Sequence, residues 1–174
     1  MPAVELLSCL HRLDLSSHSA VPFGRPGLLL ALLGEPGTAH AGLAELLIEL
    51  KAESLVASHL ALSSTNLLSG LVASCLGDTP VGATVVLPSA LCVRDPTGIR
   101  LLGDAGHHHL LGIWADRQAD ARLRAQAHHV PLWPLGRTTG QELLIRLSEG
   151  PQAEPFPVVL RASFSQLQAE VVRR

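Results

Sequence analysis

The chain has no tyrosine, three phenylalanines and two tryptophans in 174 residues, an aromatic content of 3 %. Base-stacking platforms and aromatic cages for cationic ligands have little to be built from. Lysine is almost absent too: Lys51 is the one ammonium among 13 basic side chains, and the arginines form no cluster dense enough to track a phosphate backbone. Nucleic acid is therefore unsupported as a partner. Cys9, Cys75 and Cys92 lie far apart with no C-x-x-C pair, which argues against a zinc ribbon or a disulfide framework and for reduced core residues. No apolar run approaches the roughly 18 residues of a membrane span, and the start, Met1-Pro2-Ala3-Val4-Glu5, lacks the basic region of a secretory signal. No membrane association and a cytoplasmic location are the expectations. The charged fraction, 16 %, falls below the usual ~25 %, and the shortfall predicts surface covered by a protein partner or a second copy.

What is present is apolar periodicity, with 47 % hydrophobic residues. Leu6, Leu7, Leu10 and Leu13 are spaced for a short helix, and Ser16 to Pro26 reads as a loop. Leu28 to Leu33 is a continuous run of strand length; Thr38 then caps a helix with Leu43, Leu46, Leu47 and Leu50 on one face. A second unit follows, with a strand over Leu55 to Leu62 and a helix opened by Ser63-Ser64-Thr65. Ala83 to Leu87 and Leu110 to Trp114 are strand-like, and between them the alternation fails, leaving room for an antiparallel hairpin. Asp116 caps a polar helix with Ala119, Leu123 and Ala127 as its apolar stripe. Val130 to Leu135 reads as an edge strand because Pro131 and Pro134 remove ladder donors. A helix carrying Leu143, Leu144 and Leu147, a strand over Pro157 to Leu160, and a last helix opened by Ser165-Gln166-Leu167-Gln168 complete the pattern. Strands alternating with helices predict a single three-layer, doubly wound α/β domain with a mostly parallel sheet, Rossmann-like or P-loop-like, over residues 27–174 behind an N-terminal helix and loop over 1–26.

In such a sheet the ligand crevice lies beyond the carboxyl ends of the strands, where helix N-termini converge. The residues expected there are Gly34, Gly37, Thr38, Ser63, Ser64, Thr65, Asp116, Arg117, Arg137, Thr138 and Thr139. Hydroxyls, free N–H groups and two arginines suit a phosphate or carboxylate, although helix capping calls for the same residue types. A strand through His107-His108-His109 would turn His107 and His109 to one face, with Asp104 or His128 as a third ligand. The H-x-x-x-H and Cys/His spacings of metal sites are missing, so loop histidines are expected, with no metal and no cofactor implied. No G-x-S-x-G elbow or spaced carboxylate pair identifies a catalytic residue.

Residues 27–51 resemble the first strand, loop and helix of P-loop NTPases. Gly34, Pro36, Gly37 and Thr38 fit the loop, while Ala39, His40 and Ala41 stand where the second glycine, the lysine and the hydroxyl belong. The resemblance implies a scaffold kept for binding after hydrolysis was lost. His11-Arg12-Leu13-Asp14 resembles the H-R-L-D of a pseudouridine synthase family, where the aspartate attacks uridine; here Ser17-His18-Ser19 follows instead of T-S-G. The leading expectation is a non-catalytic α/β protein that acts through protein–protein binding, as a subunit or regulator on a degenerate nucleotide-binding scaffold. The alternative is a small-molecule enzyme or sensor that holds a phosphorylated or carboxylate ligand at the strand ends. A second alternative is RNA modification through Asp14.

Overall fold

A computed structural model describes residues 22–35, 38–62, 67–88, 92–95, 98–101, 108–148 and 158–172. The expected helix at residues 4–13, Asp14, Gly37, Ser63, Ser64, Thr65, Asp104 and His107 lie outside the described residues.

The apolar run becomes β1 (Leu29–Leu33), and both of its faces are buried. Leu30 and Leu32 enter one core with Phe23, Leu60, Leu71 and Leu110, while Ala31 and Leu33 enter a second with Leu46, Leu50, Leu111 and Ile113. Burial on two sides is why the strand does not alternate; each fully buried leucine contributes about 2 kcal/mol. The other elements follow as α1 (Leu43–Ala52), β2 (Val56–Ala61), α2 (Leu67–Cys75), β3 (Ala83–Pro88), β4 (Cys92–Asp95), β5 (Gly98–Leu101), β6 (His109–Ile113), a 3-10 turn at Ala115–Arg117, α3 (Gln118–Ala127), β7 (Leu132–Thr138), β8 (Glu142–Ser148), β9 (Val158–Ser163) and α4 (Phe164–Val172). Helices α1 and α3 supply one core, and α2 and α4 the other, so helices stand on both faces of the sheet.

The sheet corrects the expectation of parallel strands. Its order is β2-β6-β1-β7-β3-β8-β9, and β3–β8 is the one parallel pair in it. The other pairs, β2–β6, β1–β6, β1–β7, β3–β7 and β8–β9, are antiparallel. The pairings make β1, β2, β3 and β8 run one way and β6, β7 and β9 the other. The strand–helix alternation therefore has the right sense, but later strands slot between earlier ones: β6 lies between β1 and β2, and β7 between β1 and β3. An apolar run looks the same whichever way its neighbour runs.

Four local expectations change with it. β7 is interior despite Pro134, because β3 pairs only with Gly136–Thr138 and the β1–β7 register shifts beside Pro134. The segment with Leu143 and Leu144 is strand β8, with Leu143 and Ile145 alternating into the core. Thr38 donates its N–H to the Glu35 carbonyl, and α1 begins after Gly42 with no side-chain cap. The capping box of α4 is Ser163 with Gln166: the Ser163 N–H reaches Gln166 Oε1 at 2.8 Å, and the Gln166 N–H returns to Ser163 Oγ at 3.4 Å. The irregular stretch before β6 does hold an antiparallel hairpin, β4–β5.

Edge strand β2 is tied to β6 by side chains as well as by its ladder. His59 Nε2 and His109 Nδ1 lie 2.8 Å apart with their rings stacked, one N–H donating to the other ring's lone pair. Burial, then the His59, His108 and Lys51 charges, lowers the His109 pKa from 6.5 to about 4; burial and Lys51 lower that of His59. A base with a lowered pKa in the fold stabilises it fully above the unfolded value, and the contribution fades as pH falls from 6.5 towards 4. Urea titrations across that window will show wild type losing on the order of 1 kcal/mol more than His109→Gln, after solvent screening of these half-buried rings. Equal pH slopes would refute the assignment. At the β7–β3 junction, a Cβ on Gly136 would meet the Thr84 carbonyl oxygen. Gly136→Ala will therefore lower stability by about 2–4 kcal/mol, read as a reduced urea midpoint.

Candidate functional site

The mixed sheet distributes the expected site residues over two opposite rims. At one rim β1, β2, β3 and β8 end while β6 and β7 begin; at the other these directions reverse. Gly34 and Thr38 lie at the first rim. Asp116, Arg117, Arg137, Thr138 and Thr139 gather at the second. Leu29 of β1 pairs with Ile113 on one side and Arg137 on the other, so the end of β6 and Arg137 are two strand spacings apart, about 10 Å.

The second rim is built around Thr138. Its hydroxyl accepts the Leu28 N–H at 2.9 Å and donates to the Arg25 carbonyl at 2.9 Å, while its own N–H reaches the Leu28 carbonyl. The side chain is buried, so these bonds hold the loop before β1 against the end of β7. The Thr139 N–H is occupied by the Gly82 carbonyl. Held by this loop, Arg25 places its guanidinium 4.7 Å above the Trp114 ring, a cation–π contact that sequence periodicity gives no way to foresee. Arg117 is exposed beside Asp116 at 4.0 Å and Asp120 at 3.7 Å. Arg137 is exposed on the α1–α3 side of the sheet, across from Thr84. The N-terminus of α3 opens at this rim and adds its partial positive charge. Arg25, Arg117 and Arg137 share this rim with Asp116, Asp120, Asp78, Glu53 and Glu142, of which Glu53 is paired with Arg124 and Glu142 with Arg161.

The first rim has a different character. The Gly34 N–H is taken by the Pro131 carbonyl and the Thr38 N–H by Glu35, so neither amide is available to cradle a phosphate. Two carboxylates of α1 face His128 at the end of α3: Glu49 lies 3.1 Å from His128 Nε2, and Glu45 lies 4.0 Å from His128 Nδ1. The His59–His109 pair belongs to the same half of the molecule and is mutually satisfied. Among the described residues no group of three His, Cys, Asp or Glu side chains converges on a metal position. The Cys75 thiol is buried and its pKa is pushed up to about 12 by that burial, so it remains protonated and is no nucleophile at neutral pH. No helix among the described residues is long and apolar enough to cross a membrane.

No protein-family model and no curated protein matches the sequence. Solved structures do. PurL from Thermotoga maritima complexed with FGAR matches with a TM-score of 0.64 at 15 % identity, over 83 % of this chain and 28 % of that one. The same protein complexed with ATP gives a TM-score of 0.61 at 15 % identity, over 83 % and 26 %. The hydrogenase maturation protein HypE in complex with ATP gives 0.57 at 13 % identity, over 83 % and 53 %. This chain thus spans about a quarter of the PurL length and about half of HypE. These neighbours correct the expectation of a non-catalytic, protein-binding module: the T. maritima protein is a phosphoribosylformylglycinamidine synthase, and both it and HypE were seen with ATP bound. The P-loop resemblance does not carry over. The fold is the mixed α/β fold that PurL and HypE share.

Proposed function

We propose that this chain is the ligand-binding domain of a nucleotide-using enzyme, and that it holds an anionic, phosphorylated small molecule at the rim formed by Arg137, Arg117, Asp116, Thr138 and Thr139, with Arg25 beside them. The reading is carried by the fold likeness to proteins complexed with ATP. Availability of donors favours this rim over the one with Gly34 and Thr38, because both of those amides are already bonded, whereas Arg25, Arg117 and Arg137 are exposed here. In this arrangement Arg137 contacts the anion. Thr138 acts indirectly, fixing the Arg25 loop through Leu28 and Arg25. Thr139 and Asp116 shape the rim, and Asp116 with Asp120 orients the Arg117 guanidinium.

PurL and HypE are longer than this chain, so the domain supplies part of a catalytic unit whose remaining surfaces come from further protein, in the same polypeptide or another. The activity is that of an enzyme assembly. The rim with Arg137 supplies binding and orientation of the phosphorylated group, which lowers the entropic cost of bringing reactants together.

Thermal denaturation with ATP, ADP or a ribose 5-phosphate ester tests this directly. A ligand at 100 times its Kd will add about 2.7 kcal/mol of stability. Arg137→Ala will remove most of that gain, whereas Arg146→Ala, which removes the same charge toward the opposite rim on β8, will leave it intact. Absence of a shift with all three ligands, or equal loss in the two variants, would overturn the proposal.

A further inference from the structure

Helices α1 and α3 lie side by side over the sheet, and their charge pairs give the register: Glu49 meets His128, and Glu53 meets Arg124 at 2.7 Å. As the number rises on one helix it falls on the other, so the two run antiparallel. Their inner faces are accounted for by Leu46 and Leu50 on α1 and by Ala121 and Ala125 on α3. Periodicity alone points to Ala119, Leu123 and Ala127 as the buried stripe of α3, yet these three are exposed. Leu123 retains 63 % of its surface and Ile48 of α1 retains 67 %; they are the exposed large aliphatics among the described residues.

The two residues occupy equivalent places. Ile48 is flanked one turn away on either side by Ala44 and Ala52, and Leu123 by Ala119 and Ala127, all exposed. The same spacing, Ala-x-x-x-Ile-x-x-x-Ala and Ala-x-x-x-Leu-x-x-x-Ala, thus stands on the solvent side of two antiparallel neighbours. A half-turn about an axis normal to the layer brings one stripe onto the other. Each large side chain is a knob between two hollows left by alanines, and the face carries knobs and hollows in equal number.

We propose that the outer face of the α1–α3 layer is a self-association surface that binds a second copy of this chain. An isologous dimer needs one patch that is complementary to itself, and the repeated small–large–small pattern has that property: Ile48 and Leu123 of one copy seat in the alanine hollows of the other. Two ten-residue helices, each about 15 Å long and set roughly 10 Å apart, present enough surface for a dimer to bury on the order of 1,000 Å², at the lower end of specific interfaces. Lys51 and Arg122, also exposed, lie outside the stripes, and the cross-helix pairs Glu49–His128 and Glu53–Arg124 lie between them. The inference is independent of the ligand reading, because the rim with Arg137 lies at the strand ends and this face lies on the outside of the helical layer.

Sedimentation velocity on the full chain between about 1 and 100 µM tests it, this being the range in which an interface of minimal size associates. Wild type will move from monomer to dimer across the range. Ile48→Glu and Leu123→Glu will each weaken association by about a hundredfold or more, since each sets a carboxylate in the interface centre. Both positions are on the surface, so thermal unfolding midpoints will stay near that of wild type, and Ile48→Leu will keep the dimer. Wild type remaining monomeric at the highest concentration overturns the proposal, as does a dimer that survives in the double glutamate variant. Arg137→Ala will leave dimerisation unchanged, which separates this result from the fate of the ligand site.

Discussion

The domain is organised by the requirement that β1 be buried on both faces from Leu30 to Leu33. Its five residues bury side chains into two cores and bond on both edges to antiparallel strands, β6 and β7. A strand in that position must be apolar without interruption, and Leu-Leu-Ala-Leu-Leu satisfies this with a single small residue on the side where α1 and α3 approach. Every other placement follows. β6 and β7 fix where β2 and β3 attach, the helices cover what those strands leave apolar, and the loop before β1 is drawn in by Thr138.

The insertion of reversed strands between codirectional ones also decides the chemistry of the rims. In a wholly parallel sheet all helix N-termini would open on one side and a ligand would meet them together. Here α1 and α2 start at one rim, α3 and α4 at the other, because β6 and β9 run against β1 and β2. The histidines His109 and His128 stand at the rim where α1 starts, and Arg25, Arg117 and Arg137 at the rim where α3 starts.

Sequence reasoning reaches the element list far better than the strand order. The alternation from β1 to β3 is legible because apolar runs and helical spacing are local properties, and β6 and α3 are legible for the same reason. Strand direction is decided by partners about 50 to 100 positions away, which local periodicity does not encode. β8 was expected as a helix because Leu143, Leu144 and Leu147 fit helical spacing, while Leu143, Ile145 and Leu147 fit alternation equally well. Strand-end placement puts Asp116, Arg117, Arg137, Thr138 and Thr139 at the rim where β6 and β7 end, but the single crevice expected with Gly34 and Thr38 is divided between two rims. Arg25 was not expected there, since its position depends on a hydroxyl 113 residues further along the chain. The exposed stripe on α3 shows the same limit: an alanine-rich helix offers two apolar stripes, and only the packing of Ala121 and Ala125 says which is inside.

The long reach of β1 has a temporal side. It is made before either neighbour: β6 and β7 come some 80 and 100 residues later, and the Leu28 N–H finds its hydroxyl only at Thr138. At synthesis rates of about 5–20 residues per second, that apolar strand waits on the order of 5–20 s with both edges open. The strand around which the finished molecule is built thus depends on contacts of high sequence separation, the slow class in folding, and β8 and β9 are added at the edge after its neighbours have been made.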